Sequence, residues 1–305
     1  MKLSVRFFKR LFLALLAAAI LVPSTLAVCF GVSAQQARKQ VSRLEEQLEA
    51  AEPVVSEEKS ADVPAAAPAA EGTQSELSYQ SLYPELYCRS YDPGGWKREE
   101  NVAYLTFDDG PSSNTEEILE ILRKNDIRAT FFVTHRGDRP QEELLRKILS
   151  EGHTLAIHTY SHEYGTIYGS VEAYLEDFQQ VYQWIEEATG VQAELFRFPG
   201  GSINGYNAAI YQPLIAEMTR RGFTYFDWNV SGEDAAKGAT VQSVTDAVLG
   251  GVDGCYRAMI LLHDAADKDY TVQALPQIIS GIQERGFSFA PLTAQIKPVA
   301  FSYSD

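Results

Sequence analysis

The sequence predicts an α/β fold in which a mainly parallel sheet curves into a distorted (β/α)7–8 barrel. Two observations carry this expectation. From residue 102 onward, about seven short apolar runs alternate with longer amphipathic stretches, and strand–helix alternation of that kind builds a parallel sheet. The polar and charged clusters fall directly after the apolar runs, and a barrel gathers the carboxyl ends of its strands on one rim.

In chain order, residues 1–34 form a separate unit. Lys2, Arg6, Lys9 and Arg10 precede a run from Leu11 to Val32 that is apolar or small apart from Ser24 and Thr25, with one proline, Pro23. A helix of that length crosses a bilayer, and the basic cluster favours a cytoplasmic amino terminus. Val32-Ser33-Ala34 is also a tolerable cleavage site for a signal peptide. The run exceeds the usual signal-peptide core of about 7 to 15 residues, which favours a retained anchor. Residues 35–51 read as a juxtamembrane helix, with Ala37, Val41, Leu44, Leu48 and Ala51 at heptad-like spacing. Residues 52–77 turn to Ala, Pro, Glu and Ser, a composition that cannot bury enough apolar surface to fold and serves as a spacer. The folded domain spans 78–305. Its first stretch carries Tyr79, Tyr83, Tyr87, Tyr91 and Trp96, aromatics expected to pack on the barrel.

Within the domain, Val102 to Leu105 reads as a buried strand that Gly110-Pro111 brings to a turn. Asn114, with Glu117 three residues on, resembles an amino-terminal cap for a helix whose apolar face is Ile118, Leu119, Ile121 and Leu122. Ala129–Val133 is the next strand, and a helix from about Pro140 to Glu151 ends at Gly152. Thr154–Ile157 is a strand, and Ser170 opens a long helix that ends near Gly190. Further strands are expected at Leu195–Phe198, Thr224–Trp228, Met259–His263 and around Phe287–Pro291.

The formal net charge is −15. The first 34 residues hold four bases and no acid, so the remainder is more acidic still, which argues against nucleic acid as a partner. Cys29 lies in the apolar run. Cys88 and Cys255 could form a bridge in an oxidising location or remain two buried thiols.

The chemistry concentrates in five stretches. Thr106-Phe107-Asp108-Asp109-Gly110-Pro111 places adjacent carboxylates at a strand end, and such a pair stays ionised only beside a cation. His158-Thr159-Tyr160-Ser161-His162 adds two imidazoles at ligand spacing, and a carboxylate with two imidazoles makes a divalent-metal site with open positions. Arg197-Phe198-Pro199-Gly200-Gly201 brings a guanidinium suited to a buried carboxylate. Asp227-Trp228 and Leu261-Leu262-His263 complete the set. Of the other histidines, His153 reads as structural and His135 as an exposed loop residue.

In this order the five stretches resemble the motifs of the polysaccharide deacetylases, the NodB-like carbohydrate esterases, over roughly the last two thirds of the chain. The resemblance implies a distorted β/α barrel and a metal-dependent hydrolase that removes N-acetyl groups from cell-wall glycan, N-acetylglucosamine or N-acetylmuramic acid of peptidoglycan. Chitin oligomers, exopolysaccharide, O-acetylated xylan and a non-catalytic glycan-binding role are the alternatives. It implies Asp109, His158 and His162 as ligands of Zn2+, with Co2+, Ni2+ or Mn2+ also suited to the set. Asp108 becomes the general base held by Arg197, and His263 the general acid with its ring oriented by Asp227. Trp228 and Leu261 form the slot for the acetyl methyl group. The family takes an oxyanion donor from the backbone amide after the third-motif proline, here Pro199. That amide is often a tyrosine's and here belongs to Gly200. The anchor and spacer place this domain outside the cytoplasm, tethered to the membrane or secreted if the segment is cleaved.

Overall fold

The structure, a computed structural model, describes residues 77–88, 96, 99–135 and 140–302. The predicted anchor, juxtamembrane helix and spacer lie outside these residues. Among the described residues no helix is long and apolar enough to cross a membrane.

The elements run β1 (Val102–Gly110), α1 (Thr115–Lys124), β2 (Thr130–Thr134), α2 (Pro140–Ser150), β3 (Thr154–Thr159), a single turn α3 (Tyr164–Ile167) and α4 (Val171–Thr189). They continue with β4 (Leu195–Phe196), α5 (Tyr211–Arg220), β5 (Thr224–Tyr225), β6 (Val230–Ser231), α6 (Val241–Val252), β7 (Arg257–His263), α7 (Asp269–Glu284) and β8 (Ser288–Phe289). The strand order is β5-β4-β3-β2-β1-β7-β6, with β8 paired to the start of β1. Every ladder is parallel. Among the described residues no ladder joins β5 to β6, so the sheet is a curled half-barrel with helices on its outer face.

Side-chain alternation sorts the strands into two cores. Ala103, Leu105 and Phe107 of β1, Phe131 and Val133 of β2, and Ala258, Ile260 and Leu262 of β7 pack outward under the helices. Tyr104, Phe132, Ala156, Leu195, Phe226 and Met259 point inward and meet Leu292 and Ile296 from the carboxy-terminal segment. Continuing the inward set by steps of two leads from Tyr104 to Asp108, from Ala156 to His158, from Leu195 to Arg197 and from Met259 to His263. The apolar lumen thus hands over to the polar groups at the carboxyl ends.

Three expectations are corrected. The first strand does not stop at Leu105 but carries both aspartates as far as Gly110. Asn114 does not cap α1 with its side chain; its Nδ2 donates instead to the Ala265 carbonyl, at 2.8 Å. The strands expected at 195–198 and 224–228 are two residues long, and β6 was not foreseen. Past β4 the pairing thins to single bonds, Arg197 N to Ile157 O at 2.9 Å and Phe226 N to Phe196 O at 3.0 Å, and Pro199 has no N–H to extend the ladder. By contrast α4 is bounded as read, with Ser170 Oγ accepting from Ala173 N and Gly190 at φ 75° after its last turn.

The stretch before the barrel packs in part as expected: Leu86 is fully buried and Tyr79 and Tyr83 lie against the main core, while Tyr87 is 37% exposed. Fully buried Arg221 ties it down by donating to the carbonyls of Tyr79, Leu82, Tyr83 and Leu86 while pairing with Glu217 at 2.7 Å. Tyr91 lies outside the described residues. Cys88 and Cys255 are free thiols, both half-buried.

Candidate active site

Asp109, His158 and His162 converge, each offering one ligand atom within 4.8 Å of the others. Backbone irregularities aim them. The β1–β2 register slips between Asp108 and Gly110, and the β2–β3 register slips at His158, between the Val133↔Ile157 and Thr134↔Thr159 pairs. Bulges of this kind re-aim side chains at a sheet rim. Asp109 and His162 also hold the left-handed conformation, at φ 72° and 58°, which costs a non-glycine residue energy and clusters at functional sites.

The cluster suits a divalent cation on its donor chemistry. His158 Nδ1 lies 2.8 Å from the Arg197 carbonyl, a partner that can only accept. Nδ1 therefore carries the proton, and Nε2 turns its lone pair toward Asp109, 3.7 Å away. His162 Nε2 is 3.2 Å from the same Asp109 oxygen. The loop bearing His162 is pinned by Asp177 of α4, which accepts from Tyr160 N at 2.7 Å, Ser161 N at 2.9 Å and Ser161 Oγ at 2.5 Å.

Asp108, 3% exposed, stands beside the cluster with its Oδ2 3.9 Å from His158 Nε2. Fully buried Arg197 donates from Nη1 to Asp108 Oδ1 at 2.8 Å and to Thr106 Oγ1 at 2.8 Å, and from Nε to the Phe226 carbonyl at 2.8 Å. The guanidinium also lies over the Phe132 ring, 4.2 Å from its centroid. A charge so fully bonded costs little to bury and holds its carboxylate partner in one orientation.

Opposite Asp108 in the β1–β7 register sits His263. Its ring is oriented by Asp234, not by Asp227. Asp234 Oδ1 is 2.7 Å from His263 Nδ1, while Asp234 Oδ2 accepts from His263 N at 2.8 Å and Thr271 Oγ1 at 2.9 Å. Burial draws the His263 pKa down, but the Asp234 hydrogen bond and charge, with Asp108 and Asp109 behind them, outweigh it and push it up to about 9.

Asp227 faces elsewhere. Its carboxylate accepts from Ser202 N at 2.8 Å, Ser202 Oγ at 2.5 Å and Phe301 N at 2.7 Å. It anchors the carboxy-terminal segment to the pocket wall, and burial raises its pKa against the pull of those bonds and of Arg197. Trp228 packs against the Phe301 ring at 4.9 Å, and Leu261 is buried on the inward side of β7. Pro199 is buried, and its carbonyl accepts from Tyr168 Oη at 2.7 Å. Gly200 is exposed at φ 73°, and a Cβ there would come within 3.1 Å of the Tyr164 ring. Tyr164 therefore occupies the space beside the glycine.

A profile of the family described as polysaccharide deacetylase matches residues 96–218. YheN of Bacillus subtilis is 32% identical over 206 residues, covering 66% of this chain and 70% of that protein. The chain belongs to the polysaccharide deacetylase family. A peptidoglycan-N-acetylglucosamine deacetylase of Bacillus cereus is 30% identical, over 63% of this chain and 69% of that one. The catalytic domain of the Eubacterium rectale peptidoglycan N-acetylglucosamine deacetylase superposes with a TM-score of 0.64 at 36% identity, over 73% of this chain and all of that domain. This deacetylase is thus a divalent-metal hydrolase with the fold of its family. His263 and Asp234 lie beyond the matched segment, on the second half of the sheet.

Sequence reasoning missed Asp234, Asp177 and Tyr164. Asp234 follows a two-residue strand too short to register as an apolar run. The available signal was an aspartate just after Val230-Ser231-Gly232, at the carboxyl end of a strand beside β7. His153 is buried as expected, accepting from Ala129 N at 3.0 Å. His135 is not a bare loop residue: its ring stacks on Tyr160 at 4.4 Å and meets Trp184 edge-on at 4.8 Å.

Proposed function

We propose that this deacetylase removes N-acetyl groups from the amino sugars of peptidoglycan, with Asp109, His158 and His162 holding a Zn2+ ion. The observation that carries the reading is the register pairing of Asp108 with His263. It sets a carboxylate fixed by Arg197 and a charged imidazole side by side on neighbouring strands, beside the ligand cluster. Asp109, His158 and His162 would hold a cation there, which would supply Lewis acidity to activate water and polarise an acyl carbonyl.

The chain's own groups supply the rest. Asp108, held in one orientation by its bond to Arg197, accepts a proton from the attacking water. The Gly200 N–H is the donor for the oxyanion that develops on the carbonyl carbon's oxygen. His263, protonated because Asp234 holds its charge, gives its proton from Nε2 to the departing amine. Trp228 and Leu261 form the apolar slot for the acetyl methyl, with Pro199 setting the bend that presents Gly200. Asp227 takes no part in proton transfer and fixes the wall formed by Ser202 and Phe301.

The substrate reading rests on the relatives named for peptidoglycan and on the predicted anchor and spacer, which would hold the domain outside the cytoplasm within reach of the wall. Relatives named as chitooligosaccharide deacetylases, 30% identical, make chitin oligomers the second candidate. The test is acetate release by metal-loaded protein on purified peptidoglycan and on chitin oligomers, with Asp109→Ala as the blank. Release from peptidoglycan that disappears in the variant is expected. Release from chitin alone moves the substrate and keeps the mechanism, and release from neither overturns the reading.

A further inference from the structure

Among the described residues five large apolar side chains are exposed: Leu77, Tyr87, Val191, Tyr206 and Tyr256. Val191 precedes β4 and Tyr256 precedes β7, at the amino-terminal ends of the strands, while Leu77 and Tyr87 belong to the stretch before the barrel. Tyr206 alone stands at the rim that carries the site, and it is 66% exposed.

Its position is built rather than incidental. Asn204 Oδ1 accepts from Tyr206 N at 2.8 Å and Asn207 N at 3.1 Å, and Asn207 Oδ1 accepts from Asn204 N at 2.8 Å. The Asn204 amide donates to the carbonyls of Pro199 and Gly201, at 3.1 and 3.0 Å, and that of fully buried Asn207 donates to Ser202 O at 3.0 Å. This braced loop holds an aromatic ring out in water, where nothing in the fold gains from it. The ring is not isolated: Tyr206 lies 4.9 Å from Tyr164, and Tyr164 lies 5.2 Å from His162. Gly200, without a side chain, lets the Tyr164 ring lie directly against the backbone there.

We propose that Tyr206 and Tyr164 form a sugar-stacking subsite next to the metal ligands, which takes the C–H face of a pyranose ring neighbouring the acetylated one. A held tyrosine offers broad apolar area and a hydroxyl at small entropic cost, which matches a sugar's apolar face and hydroxyl edge. The inference deepens the deacetylase reading and rests on it for the orientation of the chain, not for the binding itself. It makes the protein selective for polymer over single sugars.

The experiment uses the full, metal-loaded chain on N-acetylglucosamine oligomers of two to six sugars, with calorimetric binding of the hexamer alongside. Tyr206→Ala is expected to raise the KM for the hexamer about three- to tenfold, with a smaller rise for the disaccharide and kcat within about twofold of the parent. Tyr206→Phe should stay near the parent. An unchanged hexamer KM and Kd in Tyr206→Ala, or the same KM rise at every length, overturns the proposal. Hexamer binding that weakens in Tyr206→Ala although no acetate is released in any variant would sink deacetylation and keep the subsite. Acetate release with undiminished hexamer binding in Tyr206→Ala would do the reverse.

Discussion

Replacing Asp234 by asparagine separates the charge that raises the His263 pKa from the shape that positions its ring. The His263 side chain is 18% exposed and the Asp234 side chain 1%, so the pair interacts with little screening by water. With the carboxylate the imidazole's pKa is pushed up to about 9; without it, burial acts downward against Asp108 and Asp109 alone, and the value falls back toward the ordinary imidazole range. A complete return to the ordinary value would be a shift of about 2.5 pH units, at most about 3 kcal/mol. At pH 8 the protonated fraction of a group with pKa 9 is about nine-tenths and of one with pKa 6.5 about one-thirtieth, so kcat falls by up to about 30-fold if this proton serves the leaving amine. A bound cation offsets the share contributed by Asp108 and Asp109 but leaves the Asp234 share in place. The assay is the pH–rate profile of acetate release: in Asp234→Asn the alkaline limb moves acidward by more than one unit and activity recovers toward low pH. Asp227→Asn is the control, because Asp227 bonds Ser202 and Phe301 rather than His263. An alkaline limb unmoved in Asp234→Asn, or moved equally in both variants, refutes the assignment.

Three further outcomes are expected. His153 accepts a hydrogen bond with Nδ1 and its pKa is pushed down to about 4, by burial first and Arg128 second; the unfolded chain therefore takes up this proton first, and the contribution is full above pH 6.5 and lost as pH falls toward 4. In urea titrations at pH 7 and pH 5, the loss of stability on acidification should shrink by up to about 2 kcal/mol in His153→Gln relative to the parent. Gly201→Ala places a Cβ 2.4 Å from Phe301 Cε2 at a φ of 87°, so the carboxy-terminal segment must shift, and a fall in stability of about 1–3 kcal/mol should appear in thermal melts. Arg221→Met leaves Glu217 only its half-exposed partner Arg220 and removes the side-chain donor from the carbonyls of Tyr79, Leu82, Tyr83 and Leu86; a loss of about 2–3 kcal/mol, with early proteolysis before residue 88, is expected.

What could be read from the sequence was what is local to it. Asp108 and Asp109 follow one apolar run, His158 and His162 another, and Arg197 a third, so their placement at strand ends needed only alternation and a turn signal. Ser170 and Gly190 bounded α4 for the same reason, since capping is decided within a few residues. Asp234 could not be found that way, because its partner is 29 residues distant and is brought near only by a two-residue strand pairing with β7. Asp227 was misassigned on the same ground. Its adjacency to Trp228 looked like a motif, but the group that claims it is Phe301 N, 74 residues on, and no pattern near Asp227 announces that the carboxy-terminal segment returns to the rim.

A bulge explains how both adjacent aspartates reach one rim. A regular strand turns successive side chains to opposite faces, so if Asp108 faces the lumen, Asp109 should point outward under α1. The register slip between Asp108 and Gly110, with Asp109 at φ 72°, brings the second carboxylate round to the same rim. His158 already faces the cluster by alternation from Ala156, and the slip there leaves Thr159 paired with Thr134. These irregularities cost backbone energy, and the surrounding bonds hold them in place: Thr134 Oγ1 donates to the Asp109 carbonyl at 3.1 Å, and Asp264 N donates to the Asp108 carbonyl at 2.8 Å. Asp264 in turn accepts from Ser112 Oγ at 2.7 Å and Thr115 Oγ1 at 2.5 Å, which couples the end of β7 to the turn after β1. The placement of two neighbouring carboxylates on one rim is therefore set by the backbone rather than by the side chains, which are chemically identical.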